Sequence, residues 1–169
     1  MHIGIDPGLH GAIACVSSPS DPNPRVWDTP VVPVIRNRKK RNQYLVRNML
    51  EILEDAIGSD DKHHICIEQV SSMPKQGVAS MFSLGRGAGL WEGLVVSFGV
   101  PYTTVLPRQW KKEMLRGMDH SSKNDSLIRA RQLYPSVELN LAKHEGRAEA
   151  LMIAAYSAKF YAESSAKLQ

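Results

Sequence analysis

Asp6 closes the apolar run Ile3-Gly4-Ile5 and opens directly into Pro7-Gly8, and a second apolar run, Ala12 to Val16, follows the turn. Short β-branched runs bounded by Pro and Gly read as strands, so the chain begins as two strands joined by a tight turn with a carboxylate at its first position. Asp, Pro and Gly suit a β-turn mechanically, which gives Asp6 a structural reading. A carboxylate where a buried strand opens into a turn can also face a metal or a phosphate. His64-Ile65-Cys66-Ile67-Glu68 repeats the pattern, another short run ending on an acid, with Gln69, Val70 and Ser71 leading into a loop. If these two strands lie side by side and parallel, Asp6 and Glu68 come within bridging reach of one site.

A third acidic element lies near the C-terminus, from Lys143 to Tyr156. Its Ala, Leu, Met and Glu content predicts a strong helix. Glu145 and Glu149 are four residues apart and share a face of it. That face continues through Met152 and Tyr156, which places Glu149 at the edge of a core. Like charges at this spacing repel unless a cation or proton intervenes. A solvated helix face is the plainer reading of such a pair, and the apolar neighbours weaken it.

The remaining punctuation predicts a single α/β domain over residues 1–169. Met1 to Ile5, Ala12 to Ser17 and Arg25 to Val32 read as three strands of an antiparallel meander. Asn42 to Ile57 reads as a helix, with Leu45, Met49, Ile52, Leu53 and Ala56 at helical spacing. Ile65 to Glu68 is the fourth strand, Val78 to Phe98 a long helix, and Pro101 to Leu106 the fifth strand. Shorter helices follow at Pro107 to Leu115, Lys123 to Leu133 and Glu145 to Tyr161. With 169 residues and 43% hydrophobic content, such a domain can bury a full core. Cys15 and Cys66 fall inside strands, without CxxC spacing, and read as reduced core residues of a cytoplasmic protein. No apolar stretch is long enough to span a membrane, and no targeting segment precedes the first strand.

The formal net charge is only +4, yet Arg36-Asn37-Arg38-Lys39-Lys40-Arg41 puts five cations in six positions. Such a run is either a solvated loop or a polyanion contact, and the acidic strand ends favour the second. The long helix carries Gly85, Gly87, Gly89 and Gly93, each costing about 1 kcal/mol relative to alanine. That expense predicts a close backbone approach, by another helix or by a second copy of the chain. A dinucleotide loop is the weaker reading, because no strand precedes Gly85-Arg86-Gly87-Ala88-Gly89 directly.

Taken in order, several motifs resemble the RuvC-like Holliday junction resolvases. They are Ile3 to Gly8, Ile67-Glu68-Gln69, the Leu84 to Gly93 helix, Val105-Leu106-Pro107 with Trp110-Lys111, Ser122-Lys123, and Lys143 to Tyr156. The chloroplast-type and phage branch is the most similar, with a C-terminal pattern of Lys-His-His-Gly-Arg-Ala-Glu-Ala-Leu. The resemblance implies an RNase H-like fold with a five-stranded mixed sheet flanked by helices. It also implies a homodimer and divalent-metal cleavage of two opposed strands of a four-way DNA junction. Asp6, Glu68 and Glu149 match family carboxylates. Glu145 stands where the chloroplast pattern has its second histidine, and Gly146 stands where the bacterial enzymes place their fourth ligand.

Phosphodiester hydrolysis needs an activated water and relief of charge on the phosphate, and a pair of Mg²⁺ ions supplies both. Hard oxygen donors suit Mg²⁺ or Mn²⁺. In this reading Asp6 bridges two ions, Glu68 holds one, and Glu145 with Glu149 holds the other. His144 is a neighbour or phosphate contact, since helix geometry turns it about 100° from Glu145. Arg38, Lys39, Lys40, Arg41, Lys75, Arg86, Arg108, Lys111, Lys112 and Lys123 are the candidate phosphate contacts. The loop containing Ser72 and Lys75 would enter the junction centre. Phe82 could stack on a base, but an amphipathic helix more often spends phenylalanine on its core.

Three rivals share parts of the pattern. An actin-like ATPase or sugar kinase also opens with an Asp-x-Gly turn, but the chain is too short for two lobes and shows no second phosphate loop. A noncatalytic junction-binding protein would not need three acidic positions. An RNase H-like nuclease acting on RNA/DNA hybrid or other branched DNA differs only in substrate.

Overall fold

The alternation in the first strands decides the layering. In the computed structural model, which describes residues 1–36, 38–58, 63–72, 76–118 and 124–161, β1 (His2–Asp6) pairs antiparallel with β2 (Ala12–Val16) and parallel with β6 (His64–Glu68). Ile3, Ile5, Ile13, Cys15, Ile65 and Ile67 point to one face, whereas Ala12, Ala14, Val16 and Cys66 point to the other. The central sheet is mixed and five-stranded, in the order β3-β2-β1-β6-β7, with β3 at Arg25–Asp28 and β7 at Tyr102–Val105. This is the RNase H-like arrangement expected from the sequence.

The isoleucine face packs on α1 (Val46–Ile57) and α2 (Val78–Ser97) through Met49, Leu53, Trp91 and Val95. The small-residue face packs on α3 (Pro107–Met114), α4 (Asp125–Leu133) and α5 (Glu145–Tyr161). Small residues on both sides let α5 lie directly on the sheet. A Cβ at Gly4 would run into the backbone of Ala150 and Ala154. That close approach fixes the height of α5, and therefore of Glu149, above β1.

Two sequence expectations are corrected. The segment Arg25 to Val32 is not one strand. It breaks at Thr29-Pro30, where the Thr29 N–H is tied to the Gly11 carbonyl at 2.9 Å. The chain then leaves the sheet as β4 (Val31–Arg36) and returns as β5 (Lys39–Tyr44), a separate two-stranded hairpin. Asn42 to Tyr44 therefore belong to a strand, and α1 starts only at Val46. The basic run is accordingly no plain loop: Arg36 ends β4, Arg38 lies in the turn, and Lys39, Lys40 and Arg41 open β5, the returning arm. Arg38 sits in the turn at φ 61°, a left-handed conformation that costs a non-glycine residue about 1 kcal/mol. Among the described residues, no helix is long and apolar enough to cross a membrane.

Candidate active site

Asp6 ends β1 beside the end of β6, so the parallel pairing brings Asp6 and Glu68 to the same end of two adjacent inner strands. Glu149, one turn into α5, faces them across the small-residue layer. These three carboxylates repel one another. Burial, then Glu149, then Glu68 push the Asp6 carboxyl from its ordinary 3.8 up to about 7, against a backbone hydrogen bond from Gly8 and the attraction of Lys111. Burial likewise raises Glu68 despite a hydrogen bond from Trp110, and Glu149 adds to the rise.

The surrounding residues hold each acid in place. The Gly8 N–H donates to Asp6 Oδ1 at 3.3 Å, and Gly11 N–H donates to the Gly8 carbonyl at 3.0 Å, closing the turn. Tyr44 clamps that turn from outside, its hydroxyl within 3.2 Å of the Pro7 carbonyl and 3.1 Å of the Ser83 carbonyl. Trp110 Nε1 donates to Glu68 Oε1 at 2.9 Å. Lys111 Nζ reaches Glu149 Oε1 at 2.7 Å, and the Ser126 hydroxyl lies 3.4 Å from the same oxygen. Burial disfavours the Lys111 charge, but the hydrogen bond and attraction of Glu149, then Glu68 and Glu145, outweigh it and raise its pKa. Gly146 completes the wall, since a Cβ there would meet the backbone of His10 and Gly11.

Lys111 was expected outside the acidic cluster, as a phosphate contact, and it stands inside. Glu145 is exposed at the start of α5, whereas the Glu149 side chain is only 15% exposed. His144 is buried, and its Nδ1 accepts the Leu141 N–H at 3.5 Å to close the 3₁₀ turn Ala142–His144. That burial turns it away from a phosphate-facing role. Arg38, Lys39, Lys40, Arg41, Ser72 and Arg86 are exposed. Lys75 and Lys123 lie outside the described residues. Trp110, Tyr44 and Ser126 were not singled out as site residues from the sequence. Only the adjacency of Trp110 to Lys111 in one motif hinted at the first.

Asp6, Glu68 and Glu149, close enough that Glu149 acts on the other two, are hard-oxygen donors of the kind that suits a divalent cation such as Mg²⁺ or Mn²⁺. As they stand, no three His, Cys, Asp or Glu side chains among the described residues close around a common point. The Lys111 ammonium partners Glu149 there instead.

The glycines of α2 divide by position. Gly87 meets the Pro7 carbonyl and the Tyr44 ring, so a side chain there would displace the Asp6 turn, whereas Gly85, Gly89 and Gly93 face open space.

No family model and no curated protein matches the chain. Among solved structures, Thermus thermophilus RuvC matches at 19% identity and a TM-score of 0.56, over 96% of this chain and 95% of that one. Thermus thermophilus RuvC in complex with Holliday junction substrate matches at 21% identity and a TM-score of 0.57, over 96% and 94%. The chain thus has an α/β fold of the RNase H-like class. Within that class the fold is RuvC-like.

Proposed function

We propose that this protein is a metal-dependent endonuclease that resolves four-way DNA junctions by paired phosphodiester hydrolysis, of the kind the chloroplast-type and phage motifs suggest. The observation that carries the reading is the convergence of Asp6, Glu68 and Glu149, from β1, β6 and α5, at one mouth of a RuvC-like fold. Support for the substrate comes from the solved RuvC in complex with Holliday junction substrate and from the exposed cations Arg38, Lys39, Lys40, Arg41 and Arg86 on the hairpin and α2. When bound, two Mg²⁺ or Mn²⁺ ions on Asp6, Glu68, Glu149 and Glu145 would supply charge neutralisation and an activated water.

The chain's own residues set up the rest. Gly8 N–H and Trp110 Nε1–H orient the Asp6 and Glu68 carboxylates. Lys111 has three N–H donors and spends one on Glu149, which leaves two for a phosphate oxygen at the same place. Water attacks phosphorus and one ester oxygen leaves. A cation fixed beside the acids stabilises the charge that develops in that step.

A four-way junction offers two equivalent strands, and two-fold substrates suit two-fold proteins. The face of α2 carrying Gly85, Gly89, Gly93 and the exposed Val96 has open space beside it for a second copy. A homodimer is therefore part of the reading, and sedimentation that finds only monomer, with or without junction, refutes it.

The deciding experiment is cleavage of a mobile four-way junction, a fork, a linear duplex and an RNA/DNA hybrid, each in Mg²⁺ and in EDTA. Paired symmetric nicks in the junction, lost in EDTA, are the expected result. Preferential cutting of the hybrid, or activity that survives EDTA, overturns the assignment.

A further inference from the structure

The three acids are not fixed in the same way. Glu68 accepts a hydrogen bond from the Trp110 indole at 2.9 Å, and Glu149 one from the Lys111 ammonium at 2.7 Å. The Asp6 carboxylate accepts, among the described residues, only the Gly8 N–H of its own turn, at 3.3 Å. Its place is therefore the place of the turn at residues 7–11, and whatever fixes that turn fixes Asp6.

The root of the β4–β5 hairpin grips this turn from two sides. On the incoming side the Thr29 N–H donates to the Gly11 carbonyl at 2.9 Å, and on the returning side the Tyr44 hydroxyl lies 3.2 Å from the Pro7 carbonyl. The two sides are tied to each other by the pairing of Val31 with Tyr44 and by the Leu45 N–H, which donates to the Pro30 carbonyl at 3.0 Å. A second carbonyl, that of Ser83 at 3.1 Å, seats the buried Tyr44 on α2. Gly87 leaves room for this arrangement, since a Cβ there would meet both the Pro7 carbonyl and the Tyr44 ring. Burial lifts the phenol above its ordinary pKa against the pull of the Ser83 bond, and the Asp6 charge adds to the rise, so the hydroxyl keeps its proton. From this root the strands pair residue by residue out to Arg36 and Lys39. Arg38, Lys39, Lys40 and Arg41 stand exposed at that far end, and no acid occurs between Val31 and Tyr44. Tyr44 thus joins the arm that carries the cations to the turn that carries Asp6.

We propose that Tyr44 is a positioning residue for cleavage: its hydroxyl ties the cationic hairpin to the Asp6 turn, so that DNA on Arg38, Lys39, Lys40 and Arg41 and a divalent cation at Asp6 strengthen each other's binding. This rests on the metal-dependent junction-nuclease reading. A hydroxyl has one hydrogen to donate, and its loss leaves the carbonyl of the buried Pro7 without that donor. The turn then loses its outer tie, and the hairpin can shift without carrying Asp6 with it. Coupling between two binding sites is reciprocal. Removing the hydroxyl must therefore show at both ends, as weaker metal binding and as a smaller gain in junction affinity when metal is added.

The test compares the full chain as wild type, as Tyr44→Phe, with Arg38, Lys39, Lys40 and Arg41 replaced by Ala, and with both changes. Junction affinity is read by fluorescence anisotropy in EDTA and in Ca²⁺, Mn²⁺ binding by calorimetry without DNA, and cleavage as a single-turnover rate at saturating protein. Tyr44→Phe is expected to bind the junction in EDTA within about two-fold of wild type, yet to lose about ten-fold in Mn²⁺ affinity and in saturated rate, as loss of an outer-shell partner does elsewhere. The tightening on the junction that Ca²⁺ gives the wild type is expected to shrink. The hairpin change should lower the saturated rate in wild type and not in Tyr44→Phe, a non-additivity that independent residues do not show. Tyr134→Phe is the control, because that buried hydroxyl also donates to a carbonyl, of Pro19 at 2.9 Å, but in the opposite core layer. It should keep Mn²⁺ affinity and rate. Additive effects, wild-type Mn²⁺ affinity in Tyr44→Phe, or an equal loss in Tyr134→Phe overturns the proposal. Hydrogen exchange gives an answer that needs no change at Tyr44. Junction in EDTA should slow exchange at Gly8 and Gly11 in wild type and not in the hairpin variant, and exchange unmoved in wild type overturns the coupling. The two readings fail separately. A wild type that cuts junctions while Tyr44→Phe matches it in rate and Mn²⁺ affinity loses only the role of Tyr44, and one that cuts nothing while Tyr44→Phe weakens Mn²⁺ binding loses only the nuclease.

Discussion

Replacing Asp6 by asparagine should make the metal-free protein more stable, and only above a certain pH. The Asp6 carboxyl is lifted from 3.8 to about 7 by burial and by the repulsion of Glu149 and Glu68. Folding therefore favours its protonated form. Below about pH 4 the folded and unfolded chains both carry the proton, and no penalty exists. As pH rises from 4 towards 7 the unfolded chain ionises first, so stability is lost across that window and stays lost above it. The full displacement corresponds to roughly 4 kcal/mol at pH 8. Asp6 keeps some contact with water at the mouth of the site, and screening cuts this to about 2 kcal/mol. Asparagine cannot ionise and still offers an oxygen to the Gly8 N–H, so it removes the penalty and keeps the turn. For a chain of this length the gain amounts to about 4–8 °C in Tm at pH 8. Thermal unfolding in EDTA at pH 4.5, 6 and 8 reads it directly, with Mg²⁺ added at pH 8 expected to stabilise the wild type and not the variant. A variant no more stable than wild type at pH 8, or a gain identical at all three pH values, refutes the electrostatic account of the cluster.

The other expectations follow from contacts around the same mouth. Lys111→Met should slow junction cleavage about a hundred-fold, as loss of a fixed transition-state donor does elsewhere, with junction affinity in EDTA nearly intact; an equal drop in affinity would make Lys111 a binding residue only. Glu149→Gln should abolish nicking while Glu145→Ala reduces it, and full activity of Glu145→Ala in Mg²⁺ would show that the exposed acid is no ligand. Gly146→Ala should lower stability by about 1–3 kcal/mol, because its Cβ meets the His10 and Gly11 backbone, and a urea titration with an unchanged midpoint would contradict that packing. Replacing Arg38, Lys39, Lys40 and Arg41 by Ala should weaken binding to many DNA sequences alike and reduce the salt slope by up to about 0.9 per lost phosphate contact. An unchanged slope would leave the hairpin a solvated arm.

Asp6 and Glu68 were legible as site candidates because the signal is local. An apolar run that closes on an acid and enters a turn marks both the strand and its chemically useful end, and no distant residue is needed to read it. The same holds for the α5 stretch, where Ala, Leu and Met at helical spacing predict the helix and put Glu149 at its margin. The hairpin was not legible. Lys39-Lys40-Arg41 has no apolar alternation, and its strand exists only because it pairs residue by residue with Val31–Arg36. The break in Arg25 to Val32 does have a local mark, Pro30, whose missing N–H ends the pairing just past the Thr29 to Gly11 bond that continues the β2–β3 ladder. Phe82 shows the limit most clearly. Periodicity assigns an apolar residue to a helix, but which face of the helix meets the core depends on where the sheet lies, and here the ring is left in the open. Lys111 follows the same rule. Its partner Glu149 is 38 residues away, and only the seating of α3 and α5 on one face of the sheet turns an expected phosphate contact into the charge at the centre of the acids.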